Sequence, residues 1–373
     1  MGRPGRLRNE ALQDEVSARL ERAITTDQPF IERLVMFWSS HFCVSAAKGN
    51  VRAIAGAFER EAIRPHVLGR FADMLKAVEQ HPAMLIYLDN QGSIGPNSLA
   101  GKRVKRGLNE NLAREILELH TLGVDGGYSQ DDVTNLARIL TGWTFGSPQT
   151  QLGETGKFVF VANRHEPGSW SVAGKTYIDQ GLLTGEAVLD DLARHPSTAR
   201  HIARKLAVHF VSEAPSPALV AALTETFLKT AGDLAALSRT LVDHPEAWSA
   251  RPVKIVPPYD FIVSLVRGLG HRPRAGELMR LSAGLGQPIW MPPSPKGWPD
   301  ADNAWTGPSA IRERLRVAEM AARRIDKLMD PRAVAADILG PRLTEETRQA
   351  IARAEDREQG FELLIMSPEF QRR

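Results

Sequence analysis

The chain has 373 residues, 43% of them apolar and 24% charged, with a formal net charge of +3. That is the balance of an ordinary globular protein with room for a large core, and its dispersed arginines indicate no nucleic-acid partner. No apolar run approaches the ~20 residues of a membrane span and no signal peptide follows the basic start, so the default compartment is cytoplasmic; the single cysteine, Cys43, excludes an internal disulfide and a multi-cysteine zinc site.

The opening "MGRPGRLRNE" is basic and short, and reads as a solvated tail. Residues 1–28 are expected to form an N-terminal segment ahead of one large helical domain over 29–373. "QPFIERLVMFWSSHF" is the first strongly patterned helix, followed by "GAFEREAIRPHVLGRFADMLKAVEQHPAMLIYLDN", broken by Pro65 and Pro82. "NENLAREILELHTLG" and "SQDDVTNLARILTGW" are joined by "GVDGG" and should pack as an antiparallel helical hairpin. In the second, Ser129 stands three residues before Asp132, a capping-box spacing, and Gly142 suits the far end. The stretch from about 150 to 180 changes character. "KFVFVANRHEPGSWSVAGKTYI" has short aromatic and β-branched runs and predicts a small β-hairpin insertion. Helices resume through "HIARKLAVHFV", which carries His201, Lys205 and His209 and whose Arg and Lys read most simply as a solvated face. A Trp/Pro-rich loop over 286–306 precedes a helix from about Ser309, and the apolar Leu363, Leu364 and Ile365 of the tail should pack on the body. Three helices end in His-Pro, at His81, His195 and His244. The residue before proline disfavours helix, so these read as stops with the histidine near the dipole's negative end. The fold class expected is mainly α, a multi-helix bundle-like domain with a small β-hairpin insertion.

On the helix after Asn109, Leu112, Ala113, Ile116 and Leu119 share one face at 100° per residue, and His120 lies on it. Glu115 sits at its edge. Glu110, Arg114 and Glu118 lie opposite, spaced for surface ion pairs. The same phase places His41 among Leu34, Phe37 and Trp38. A buried imidazole needs a hydrogen-bond partner or a metal. Glu115 and Asn111 are the nearest partners in sequence. His41, Glu115 and His120 are therefore the candidate catalytic or metal-binding centre, set against a plainer reading as structural histidines. No H-E-x-x-H or Glu-x-x-His spacing names a metal, so metal and cofactor are left open. His165 and Glu166 in the insertion, and Trp290 and Trp298 in the Trp/Pro loop, are candidate ligand-binding residues, against a polar turn and a body-wrapping loop as the simpler accounts.

Several long stretches, "ERLVMFWSSHFCVS", "LNENLAREILELHTLGVDGGYSQDDVTNLARILTGW", "HEPG" with "GKTY", and "GQPIWMPPSPKGWPD" among them, resemble a bacterial family of unknown function, DUF1800. The likeness covers the chain from about Pro29 to "SPEFQRR". Members usually carry more helix-rich sequence before the FW-x-x-HF motif, so an N-terminally shortened member is expected. The resemblance implies no reaction and no catalytic residues. It implies, as an association only, a partner of an exported sulfatase-like class. Two readings stay open: an enzyme using the His/Glu centre for metal or acid–base work, or a non-catalytic partner protein that docks through the Trp/Pro loop and the β insertion.

Overall fold

The computed structural model describes residues 4–103, 107–248, 252–270 and 272–373. The described residues are 59% helical, and the sheets among them are two antiparallel pairs of short strands. None of its helices, among the described residues, is long and apolar enough to cross a membrane.

The N-terminal segment is a helix rather than a tail, with Met1–Arg3 outside the described residues. Helix α1 (Pro4–Thr25) buries Leu12, Val16 and Leu20, which follow one another at four-residue spacing on one face. It packs on the Ala55–Phe58, Pro258–Leu269 and Ala275–Gly284 helices. Arg6 and Arg8 face solvent, but Arg19 turns inward, 2.8 Å from the buried Glu59 and over the rings of Tyr259 and Trp290. Glu59 also accepts from Ser39 on α2 (Pro29–His41) at 2.9 Å and from the Trp290 indole at 3.0 Å. One buried carboxylate thus ties α1, α2 and the Trp/Pro loop together, and its charge is matched by a guanidinium and two further donors.

The helical hairpin forms with its expected cap. Ser129 accepts from the Asp132 amide at 3.2 Å, and Asp132 accepts from the Ser129 amide at 2.7 Å. Glu110 and Arg114 pair on the surface and bind Gln130 and Thr134 of the partner helix. The first helix, however, is not uniform. After an α turn at Asn111–Glu115 it widens to a π turn over Ile116–His120. A wide turn of this kind shifts the phase by one residue. His120 remains buried, whereas Glu118 is half-buried, accepts from the Tyr128 hydroxyl at 3.4 Å and lines a cleft rather than the open surface.

The insertion holds two hairpins instead of one and starts earlier than expected. Gly142, at φ +82, ends the helix and turns the chain into β1 (Trp143–Phe145), which pairs with β2 (Phe158–Phe160). β3 (Ser169–Val172) pairs with β4 (Lys175–Ile178). Helices do stop at the His-Pro pairs, ending at Glu79, Ala193 and Asp243, but each histidine serves the helix that follows. The Nδ1 of His81 accepts from the Ala83 amide at 3.1 Å, that of His195 from Ser197 at 3.1 Å, and that of His244 from Glu246 at 3.3 Å. Accepting requires an unprotonated nitrogen, so these imidazoles cap N-termini as Asp or Ser would. Burial lowers the pKa of His81 and of His195, which favours that neutral form.

The C-terminal helix Arg357–Met366 buries Leu364 and Ile365 completely but leaves Leu363 36% exposed, so two of the three expected residues pack. The last residues return to residues 254–256, with Val256 donating to the Gln371 carbonyl at 2.9 Å.

Candidate functional site

His41 ends α2, 1% exposed, in edge contact with Trp38 and Phe42. Its Nε2 lies 3.2 Å from the His120 carbonyl and its Nδ1 3.0 Å from Nζ of Lys205. A carbonyl only accepts, so Nε2 carries the proton and the Nδ1 lone pair receives the lysine N–H. Burial, then Lys205, His201 and His120, hold the His41 pKa well below 6.5.

His201, on the Pro196–Phe210 helix, donates from Nε2 to the Leu119 carbonyl at 3.1 Å. Two imidazoles from two other helices therefore satisfy the last carbonyls of the Ile116–His120 turn, groups that have no partner inside a helix. The chain leaves that turn through Gly123, at φ +87. A Cβ there would stand 2.9 Å from the His201 ring, so glycine permits the approach. Burial, then Lys205, lowers the His201 pKa to about 4.

The His120 side chain turns away from His41. Its Nδ1 lies 2.7 Å from Oε1 of Glu79, and both residues are buried. Glu79 sits on the Phe71–Glu79 helix, four residues past Leu75 on its apolar face. The partner is thus neither Glu115 nor Asn111. Glu115 is half-buried, with its carboxyl pKa raised by burial, and makes no hydrogen bond to His41 or His120. The ring centres of His41 and His120 are 6.3 Å apart. The proposed trio is brought close, but it is not one hydrogen-bonded centre.

His201, Lys205 and His209 recur at four-residue spacing and face a cleft of about 850 Å³. Its other walls are the end of α2, the turn at Gly123–Gly126 and the Trp/Pro loop. Burial lowers the His209 pKa to about 4, although its Nδ1 lies 2.8 Å from Asp300 of the loop. Burial by itself would raise Asp300, but His209, Lys205 and Lys254 together hold it below its usual value. Lys205 is pulled below 10.5 by burial, against the attraction of Asp300 and Cys43. It belongs to this wall rather than to a solvated face.

The loop closes the cleft by docking on the end of α2. The Trp298 amide donates to Ser40 Oγ at 3.0 Å, and the Cys43 thiol reaches the carbonyls of Ser294 and Pro295 at 3.4 and 3.2 Å. Burial pushes that thiol up to about 12, which leaves it unreactive. Gly297 has φ +85, and a Cβ there would stand 2.1 Å from the Ser40 carbonyl oxygen. Gly297→Ala should therefore cost at least about 2 kcal/mol through strain and the lost dock. A melting temperature unchanged from wild type would show that the loop does not depend on this contact.

Of the remaining candidates, Trp298 is half-buried and lines the cleft. Trp290 is buried, with its indole N–H committed to Glu59. His165 and Glu166 lie away from the cleft and are internally paired. His165 binds the Thr141 carbonyl at 3.1 Å and Asp179 at 3.0 Å, and Glu166 takes two donors from Asn97 at 2.7 and 2.5 Å. They clamp the loop around Asn97 to the β insertion. Among the described residues, no three His, Cys, Asp or Glu side chains converge as a metal would require.

A family model described as a protein of unknown function, DUF1800, matches residues 3–372. The chain belongs to the DUF1800 family. The DUF1800 match begins well ahead of the Phe37–Trp38 motif, so the family likeness takes in helix α1 as well as the stretch from about Pro29. Comparisons with curated proteins and with solved structures give no match.

Sequence reasoning missed Lys205 and Glu79. Lys205 carried one usable signal, its four-residue spacing from two histidines. Glu79 carried another, a carboxylate placed in an apolar stripe.

Proposed function

We propose that this DUF1800 protein is an enzyme whose cleft performs acid–base chemistry through the Lys205–His41 pair. The observation that carries the reading is a lysine amine, half-buried in the wall of a large cleft and donating to a neutral imidazole. Burial makes the ammonium a better acid and raises the share of free amine, which serves as a base or nucleophile. His41 is kept in the Nε2–H tautomer by the His120 carbonyl, so its Nδ1 always faces Lys205. His120, held in turn by Glu79, is a positioning residue, and Glu115 takes no part in proton transfer. The docking reading has less support, since Trp290 and Trp305 are buried in the body.

Competitive acetylation of the full-length protein at a series of pH values, read by peptide mass spectrometry, tests this. Lys205 should titrate below the lysine amine of an unstructured reference peptide in the same reaction, and His41→Gln should change its profile. Lys205 titrating together with that peptide would overturn the proposal.

A further inference from the structure

A second cavity, of about 400 Å³, opens beside the middle of α2, where Glu32, Arg33 and Met36 line it. Its wall carries five arginines, Arg33, Arg267, Arg342, Arg372 and Arg373, against three carboxylates. Each carboxylate is already engaged. Glu32 takes Arg64 at 2.6 and 3.0 Å and Arg22 at 3.2 Å. Asp260 pairs with Arg373, and Glu369 accepts from Thr344 and Thr347 at 2.6 and 2.9 Å.

Arg33 has a whole edge without a partner, whereas Arg373, whose Nε is also buried and unpaired, is held through its other nitrogens by Asp260 and the His209 carbonyl. The Nε and Nη2 of Arg33 are buried and have no hydrogen-bond partner. Its guanidinium lies 5.2 Å over the Phe210 ring, a contact with its face that leaves the N–H groups unsatisfied. Burial, then the neighbouring Arg373, brings its pKa down to about 10, while Asp260 opposes the shift. A buried cation beside another cation, with every nearby carboxylate occupied, calls for an anion from outside the chain.

Nε and Nη2 form one edge of the guanidinium, the fork that holds a carboxylate by two parallel hydrogen bonds. The rest of the cavity wall is largely apolar, with Val263, Ile338 and Phe370 facing it. We infer that this cavity binds an organic carboxylate, its acid group on the Nε–Nη2 edge of Arg33 and its apolar body along Val263, Ile338 and Phe370. That edge is closed to bulk water, so the acid group meets it as the guanidinium tips toward the cavity. The low-dielectric surround then strengthens the pair. The site is separate from the cleft, which α2 lines with Phe37, Ser40 and His41 instead.

Isothermal titration of the full-length protein with hexanoate, hexanol and inorganic phosphate tests the inference. Hexanoate should bind saturably at one site, and the other two should not at the same concentrations. Arg33→Met should weaken hexanoate at least tenfold. Val263→Trp, which fills the cavity and leaves Arg33 in place, should do the same and covers the case in which Arg33→Met misfolds. Lys205→Met, in the cleft, should leave hexanoate affinity unchanged. Absence of saturable hexanoate binding, phosphate binding as tightly as hexanoate, or affinity retained in both cavity variants would each overturn the inference.

Discussion

His120→Ala should destabilise the protein by about 3–5 kcal/mol, the usual cost of removing one member of a buried pair. The substitution leaves the Glu79 carboxylate with no partner, since Oε1 is held by His120 at 2.7 Å and Oε2 already lacks one. Neither side chain can turn to water, because His120 is 1% and Glu79 0% exposed. The effect should be non-additive. Glu79→Leu combined with His120→Ala removes the stranded charge together with its partner, so the double variant should lose clearly less than the sum of the two single losses. Urea unfolding of the four proteins gives the coupling directly. A loss below about 1 kcal/mol for His120→Ala, with simple additivity, would mean that the pair contributes nothing beyond packing.

Stability should also fall steeply in mild acid. His201 and His209 titrate at about 4 in the folded protein against an ordinary 6.5. Between those values the unfolded chain binds more protons than the native one. The stabilisation from keeping these rings neutral is therefore complete above about pH 6.5, and is lost as pH falls through the window toward 4. The sum should be a few kcal/mol, on the order of 2–3 for each ring, with the smaller share from the less buried His201. His41 adds to the same trend, being lowered in the same direction. Urea midpoints at pH 7, 5.5 and 4.5 should drop progressively, and His209→Asn should flatten the slope. Equal midpoints across the window, or an unchanged slope in the variant, would show that these rings are solvated well enough to protonate in place.

The consequence for the proposed chemistry is direct. Protonation of His41 removes the lone pair that receives the Lys205 N–H, so the pair is disassembled by the same acid that loosens the cleft. The proposed chemistry and the stability respond to acid in the same direction because the imidazoles that cap the Ile116–His120 turn also line the cleft.

Local pattern determined a good deal in this protein. The apolar spacing around Leu112 and Ile116 predicts a helix with His120 inside, and the Ser129/Asp132 spacing predicts the cap that is found. These are short-range properties, set by backbone geometry within one or two turns. The same reasoning fails where a partner comes from a distant part of the chain. Glu79 is 41 positions from His120, and Lys205 is 164 from His41. The π turn that aims two carbonyls at imidazoles is likewise invisible to a 3.6-residue period, because the extra residue is accommodated for what surrounds it. The His-Pro pairs show the limit most sharply. Proline marks the boundary between two helices, but which helix the histidine serves depends on its Nδ1 protonation, and burial in the folded core decides that. The sequence by itself determined most of the helical elements, the Ser129 cap and the burial of His41 and His120. Only the tertiary structure decided what those histidines touch, because hydrogen-bond partners in a buried site are assigned by packing between helices, and no local periodicity carries that information.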